Sequence, residues 1–264
     1  MALRAPEWIT VAYFLYLAGA AAVLPQAGLE RRRRAIVAAI IVIITVLAIA
    51  RLDTGAMWWR EWTPLIYMVI GYWLPSLLVS RMDQAFEDSL LALDRRWQLT
   101  TISERAPRSV IELLELAYLF CYPMVPLGFA CLYFAGLTGE SDRFWTAVLV
   151  AAFGCYGMLP WLPTRPPRAI EGAPVRASGL IRSMNLRVLG VASNQVNTFP
   201  SGHAAASLAT ALAVGVRMPL AGAALGLLAL AIAIGSVVGR YHYAADALAG
   251  IALALIGFAI SRFV

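Results

Sequence analysis

The sequence contains no lysine: every one of its 21 basic residues is an arginine, set against 15 acidic residues. It has only two histidines, His203 and His242, and three cysteines, Cys121, Cys131 and Cys155, all inside apolar stretches. That cysteine usage excludes a disulfide framework and the paired spacing of a structural zinc site. Charge of either sign is scarce, at 14% of 264 residues, whereas ordinary globular chains carry about 25%. What fills the chain instead is apolar: 61% of residues are hydrophobic and the mean hydropathy is +0.74. A soluble core cannot hide that much apolar surface, so the composition defines an integral membrane protein. Its net charge of +6 does not argue for nucleic-acid binding. The arginines stand at the ends of apolar segments, where lipid headgroups and the positive-inside bias account for them.

The apolar runs predict an all-α, multi-span helical bundle with about eight transmembrane helices and one interfacial amphipathic helix. The spans are Trp8 to Leu24, Ala35 to Ala50, Thr63 to Ser80, Val110 to Leu137, Phe144 to Leu162, Gly202 to Val216, Pro219 to Val238 and Ala244 to Ile260. The small residues Ala18 to Ala22 imitate a signal-peptide cleavage site, but Glu7 interrupts the basic start and a second span follows at once, which favours a retained helix. Residues 1–56 form two N-terminal transmembrane helices, closed by a turn at Asp53, Thr54 and Gly55; residues 57–264 form a six-helix core. Pro75 predicts a kink in the third span. Within the core, residues 81–97 place Met82, Phe86, Leu90, Leu93 and Trp97 at helical spacing, the pattern of a helix lying on the bilayer surface. Glu112 and Glu115 read as interfacial. Residues 163–202 form a loop that includes Arg176, Arg182 and Arg187, with the conformation of its middle left open between a lid and a re-entrant segment.

Two short stretches carry the chemistry. Thr198-Phe-Pro-Ser-Gly-His203 opens a small-residue helix, so the N–H groups around Ser201, Gly202 and His203 stand at the positive end of a helix dipole, where a phosphate oxygen is stabilised. Gly239-Arg-Tyr-His-Tyr-Ala-Ala-Asp246 sets His242 and Asp246 four apart, on one helix face. A carboxylate there takes the proton of one imidazole nitrogen and leaves the other as nucleophile. Before both lies Arg165-Pro166, where the fifth span leaves the membrane. The sixth span goes out, the seventh returns, and His242 lies at the turn into the eighth. Arg165, His203 and His242 therefore meet on one side of the membrane.

These boxes resemble the second and third signature motifs of the phosphatidic acid phosphatase type 2 (PAP2) superfamily, whose members cleave or transfer phosphate groups, mostly on lipids, through a phosphohistidine. The resemblance covers roughly residues 57 to 264. It implies His242 as nucleophile, Asp246 as its orienting carboxylate and His203 as the acid that protonates the leaving group. Arg165 and Arg240, with Ser201 and Gly202, are the implied phosphate-binding groups. The first motif departs from the family, with Met158 where a lysine is usual, and the third has Ser236 where an arginine is usual; Arg240, one turn on, is the candidate replacement. These departures resemble the inositol-phosphotransferase-like branch. No cofactor or metal is expected.

A phosphate monoester brings two charges and a diester one, so fewer cations lean toward a lipid phosphodiester and transfer of its headgroup to a polar alcohol. Lipid or polyprenyl phosphate monoester hydrolysis is the alternative; a non-catalytic lipid-binding protein or transporter is the second. The expected partners are a membrane lipid and a polar alcohol acceptor, with no nucleic acid. The all-arginine basic set points to a GC-rich bacterium and its plasma membrane. On orientation two readings stand: arginine-rich loops put the site on the cytoplasmic side, whereas the resemblance implies the other side.

Overall fold

The apolar runs fold as helices throughout the computed structural model, which describes residues 3–52, 58–172, 179–197 and 199–264. The expected turn at Asp53, Thr54 and Gly55, the start of the core at Met57, Arg176 and Thr198 lie outside these residues. Among the described residues there are thirteen α-helices: α1 (Ala5–Val23), α2 (Leu29–Arg51), α3 (Trp58–Trp73), α4 (Gln84–Arg96), α5 (Leu99–Arg105), α6 (Arg108–Leu119), α7 (Cys121–Phe134), α8 (Ser141–Gly157), α9 (Pro167–Ile170), α10 (Leu180–Ala192), α11 (Gly202–Gly215), α12 (Pro219–Val238) and α13 (Ala244–Ser261). No strand is present among them, only an isolated antiparallel bridge between Thr164 and Asn197.

Four helices, α1, α2, α12 and α13, are long and apolar enough to cross a membrane, and α6 with α7 makes a fifth candidate if the bent pair is one span. The other expected spans are shorter helices: α3 has 16 residues, α8 has 17 and α11 has 14. Prolines explain two of the interruptions. Pro123 has no N–H and its ring opposes the Leu119 carbonyl four residues back, so the helix breaks at Phe120 and resumes at 57°. Pro75 ends α3 at Trp73 rather than merely kinking it, and the chain continues as a 3₁₀ turn over Leu74–Leu78.

The bundle is built around α8, which is apolar on every side. Trp145, Ala147, Val148, Leu149, Ala151, Ala152 and Cys155 are all fully buried, as befits a helix enclosed by others. By contrast α2 presents Val37, Ile40, Ile41 and Ile44 outward, the surface a lipid-facing helix needs. Small residues let the central helices approach. A side-chain carbon on Gly250 of α13 would lie 2.5 Å from the Ser201 carbonyl, and one on Gly222 would lie 2.2 Å from Gly215 across the α11–α12 hairpin. Gly226, one turn further along α12, faces open space.

The amphipathic stretch is α4, and its inward face is polar as well as apolar. Glu87, Leu90, Leu91 and Asp94 are the buried residues, three or four apart on one side of the helix, while Trp97 is exposed. Glu115 is likewise buried rather than interfacial, because Arg182 and Asn185 of α10 cover it. The middle of the long loop is thus a helix packed on α6.

Candidate active site

His242 occupies the turn between α12 and α13. Ser236, at the usual position of a motif arginine, is buried; its carbonyl accepts from the N–H groups of Tyr241 (2.8 Å) and His242 (3.0 Å), which folds the turn back. Arg240 has a φ of 61°, the left-handed conformation that closes it. Asp246 is the third residue of α13 and reaches back as a capping residue to the N–H of Tyr243 at 3.1 Å. The same oxygen lies 3.2 Å from His242 Nδ1 and accepts from Asn197 Nδ2 at 2.8 Å. The pair therefore forms through a helix cap, not through two residues stacked on one helix. Burial and the nearby Arg168 guanidinium push the His242 pKa down to about 3. At neutral pH the ring is uncharged, and with its proton on Nδ1 it keeps a free lone pair on Nε2.

His203 is the second residue of α11. Ser201 is the N-cap: its Oγ accepts from the Ala204 N–H at 3.4 Å, and its own N–H donates to the Asp246 carbonyl at 2.9 Å. Ser201 is fully buried in this capping role. At Gly202 a side-chain carbon would meet the Tyr156 ring at 2.5 Å, so the helix starts against that ring only with glycine there. These constraints bring the His203 and His242 rings to 5.7 Å between centroids, 75° apart in plane. Tyr118 and Tyr122 stand edge-on to His203 at 5.6 and 5.8 Å.

The arginines are distributed otherwise than the motifs imply. Arg165 is held by Glu87, which accepts from its backbone N–H at 2.8 Å, from Nε at 3.1 Å and from Nη2 at 2.6 Å. Arg240 is 1% exposed and pairs with Asp94 at 3.1 Å and with Glu171. Neither lines the cavity of the histidines, because the inward carboxylates of α4 draw both guanidiniums away. Met158, at the other motif position, is exposed beyond the end of α8. Arg168, three residues after Arg165, does line that cavity. Its N–H donates to the Arg240 carbonyl at 3.0 Å and its guanidinium lies 5.2 Å from the Tyr241 ring centre. The Arg-Pro-Pro-Arg run was the available signal: two prolines fix the backbone just before Arg168.

Tyr241 is itself anchored. It stacks on Tyr118 at 4.0 Å, lies under the Arg182 guanidinium at 4.5 Å and donates its hydroxyl to Glu115. Arg182 binds Glu115 at 2.6 Å and the Gly239 carbonyl at 2.7 Å, so α10 fastens the His242 turn to α6. Nothing in the local pattern of α10 announced this network, which depends on partners more than fifty residues away.

Two cavities meet at His203. The polar one, about 30 Å³, is walled by His203, His242, Arg168, Tyr118 and Asn197 among others. The second, about 230 Å³, is largely apolar and is lined by side chains such as Leu65, Val69, Tyr122, Tyr156 and Ala206 from α3, α7, α8 and α11. Tyr72 and His203 belong to both.

The structure defines an all-helical protein of membrane-span character, with a His-Asp pair and a second histidine beside a largely apolar cavity. The PAP2 superfamily model matches residues 85–260, more than half of the chain, and the chain belongs to that superfamily. Phosphatase or phosphotransferase chemistry is the activity this membership suggests. Comparison with curated proteins and with solved structures gives no match.

Proposed function

We propose that the protein is a multi-pass membrane lipid phosphatase/phosphotransferase that works through a phosphohistidine, with headgroup transfer as the favoured outcome, as in the inositol-phosphotransferase-like branch. The observation that carries this reading is the His203–His242 approach of 5.7 Å, with Asp246 behind His242 and an apolar chamber alongside. Nε2 of His242 attacks phosphorus in line, forming a P–N bond as the P–O bond to the leaving oxygen breaks. The imidazolium of His203, favoured by the anionic phosphate beside it, gives its proton to that oxygen. Neutral His203 then takes a proton from an alcohol or water, whose oxygen displaces His242 and breaks the P–N bond. Both histidines return to their starting forms. The lipid chain occupies the apolar chamber.

Two of the arginines near the turn are already neutralised by carboxylates, which supports a singly charged phosphodiester as substrate. The small polar cavity favours the alternative, hydrolysis of a lipid or polyprenyl phosphate monoester, since it suits a phosphate without a bulky polyol. Incubation of wild type and His242→Ala in detergent with lipid phosphomonoesters and phosphodiesters, with and without polar alcohols, separates these outcomes. Headgroup transfer that requires His242 and alcohol supports the favoured reading; phosphate release from monoesters alone supports the alternative. An inert wild type across the panel removes both, and leaves a lipid-binding membrane protein.

A further inference from the structure

We infer that Arg168, and not Arg165 or Arg240, is the phosphate-binding cation of this site. The inference adds a binding residue to the function proposed above and concerns the same cavity. Four arginines surround the turn at His242, and three of them are closed by carboxylates: Arg165 by Glu87, Arg182 by Glu115, and Arg240 by Asp94 and Glu171. Arg168 is the exception. Among the described residues no carboxylate lies within ion-pair distance of it, and it lines the polar cavity together with both histidines.

A partly buried guanidinium without a counter-ion is costly unless its charge has a use. Arg168 is held in place by contacts that leave that charge intact. Its backbone N–H is bound to the Arg240 carbonyl, Pro166 and Pro167 stiffen the chain before it, and the face of Tyr241 lies against the guanidinium. Tyr241 is fixed in turn by Tyr118 and Glu115. Burial lowers the His242 pKa, and the charge of Arg168 adds to that shift. A planar fork so placed suits two oxygens of one phosphate.

Arg165 and Arg240 then have a different task. They are the posts by which α4 is tied across the site, through Glu87 and Asp94, at sequence separations of 78 and 146 residues. Asp94 also accepts from the Ala244 N–H at 3.1 Å, which joins α4 to the start of the helix that carries Asp246.

The test is calorimetric titration of inorganic phosphate into the full-length protein in detergent, comparing wild type with Arg168→Gln, Arg168→Lys and Arg165→Gln, together with the histidine titration followed by NMR. Loss of one charge-assisted contact weakens phosphate binding by about 10- to 100-fold in Arg168→Gln. Arg168→Lys, which keeps the charge and guards against a folding failure of the glutamine variant, recovers part of that loss. Arg165→Gln stays near wild type. In Arg168→Gln the His242 titration moves upward, a change that a purely structural residue does not produce. Phosphate affinity unchanged in Arg168→Gln, or lost equally in Arg165→Gln, overturns the inference. Wild type that binds phosphate through Arg168 but turns over no lipid removes the proposed reaction and leaves this assignment standing. Wild type that binds no phosphate overturns both.

Discussion

The two ends of the bundle treat buried charge in opposite ways. At the end where α1 and α3 begin, Glu7 and Arg60 form a buried two-point pair at 2.8 and 2.9 Å, Arg4 meets Glu61 at 2.7 Å, and Trp145 donates to the Glu61 carbonyl at 2.7 Å. Each ion there has an opposite ion, and the network joins α1, α3 and α8. At the histidine end, Asp246 Oδ1 is buried without a partner, the His203 ring makes no hydrogen bond among the described residues, and Arg168 has no carboxylate. Glu61 Oε2 is also buried without a partner, so the two ends differ in the pairing of whole charges rather than of every oxygen: ion pairs hold helices together, and an unpaired charge leaves the place of a ligand. On the function proposed above, the contrast separates a structural end from the candidate active site.

On the reaction proposed above, removing His242 has the largest expected effect. His242→Ala is expected to lower turnover by about 10⁴-fold or more, as the loss of a nucleophile does elsewhere, while the thermal midpoint in detergent stays close to wild type. Asp246→Asn tests the orienting carboxylate and is expected to cost about 10²- to 10⁴-fold in kcat with little change in KM, read from steady-state kinetics. At the other end the same logic predicts the reverse. Glu7→Gln leaves Arg60 buried and unpaired and is expected to destabilise by about 3–5 kcal/mol, measured by unfolding in detergent, with activity per folded molecule retained. If Glu7→Gln instead lowers kcat without lowering stability, the division between the two ends fails.

The last expectation concerns pH. His242 faces Asp246 of α13, His203 of α11 and Arg168 of α9, and its pKa falls from the ordinary 6.5 to about 3 in the folded protein. A group lowered in this way stays neutral above about 3. Its stabilising contribution is complete above pH 6.5 and is lost as pH falls from 6.5 toward 3, because the unfolded chain binds the proton first. The His242 NMR titration therefore has no step near pH 6.5, whereas an ordinary exposed histidine shows one there.

Much of the site was readable from short stretches. The proximity of His242 to Asp246 follows from a four-residue spacing, although the physical device is a helix cap rather than a shared helix face. The nearness of His203 to His242 follows from an out-and-back helix pair that begins and ends at one side. Other features escaped. The surface pattern of α4 showed the apolar residues of an interfacial helix, but Glu87 and Asp94 occupy its buried side because arginines from distant segments neutralise them. Glu115 looked interfacial for the same reason, since Arg182 arrives from α10.

The amino-acid sequence by itself determined the membrane character, the helical fold and the start of the helix that carries His203. Apolar run length, proline stops and capping residues act within one or two turns, so the signal is local. Only the tertiary structure decided which arginine near the His242 turn lacks a carboxylate among the described residues. That depends on where carboxylates 78 and 146 residues away come to rest. Arg165 and Arg168 are three residues apart in one proline-rich run, yet one is spent on α4 and the other faces the histidines.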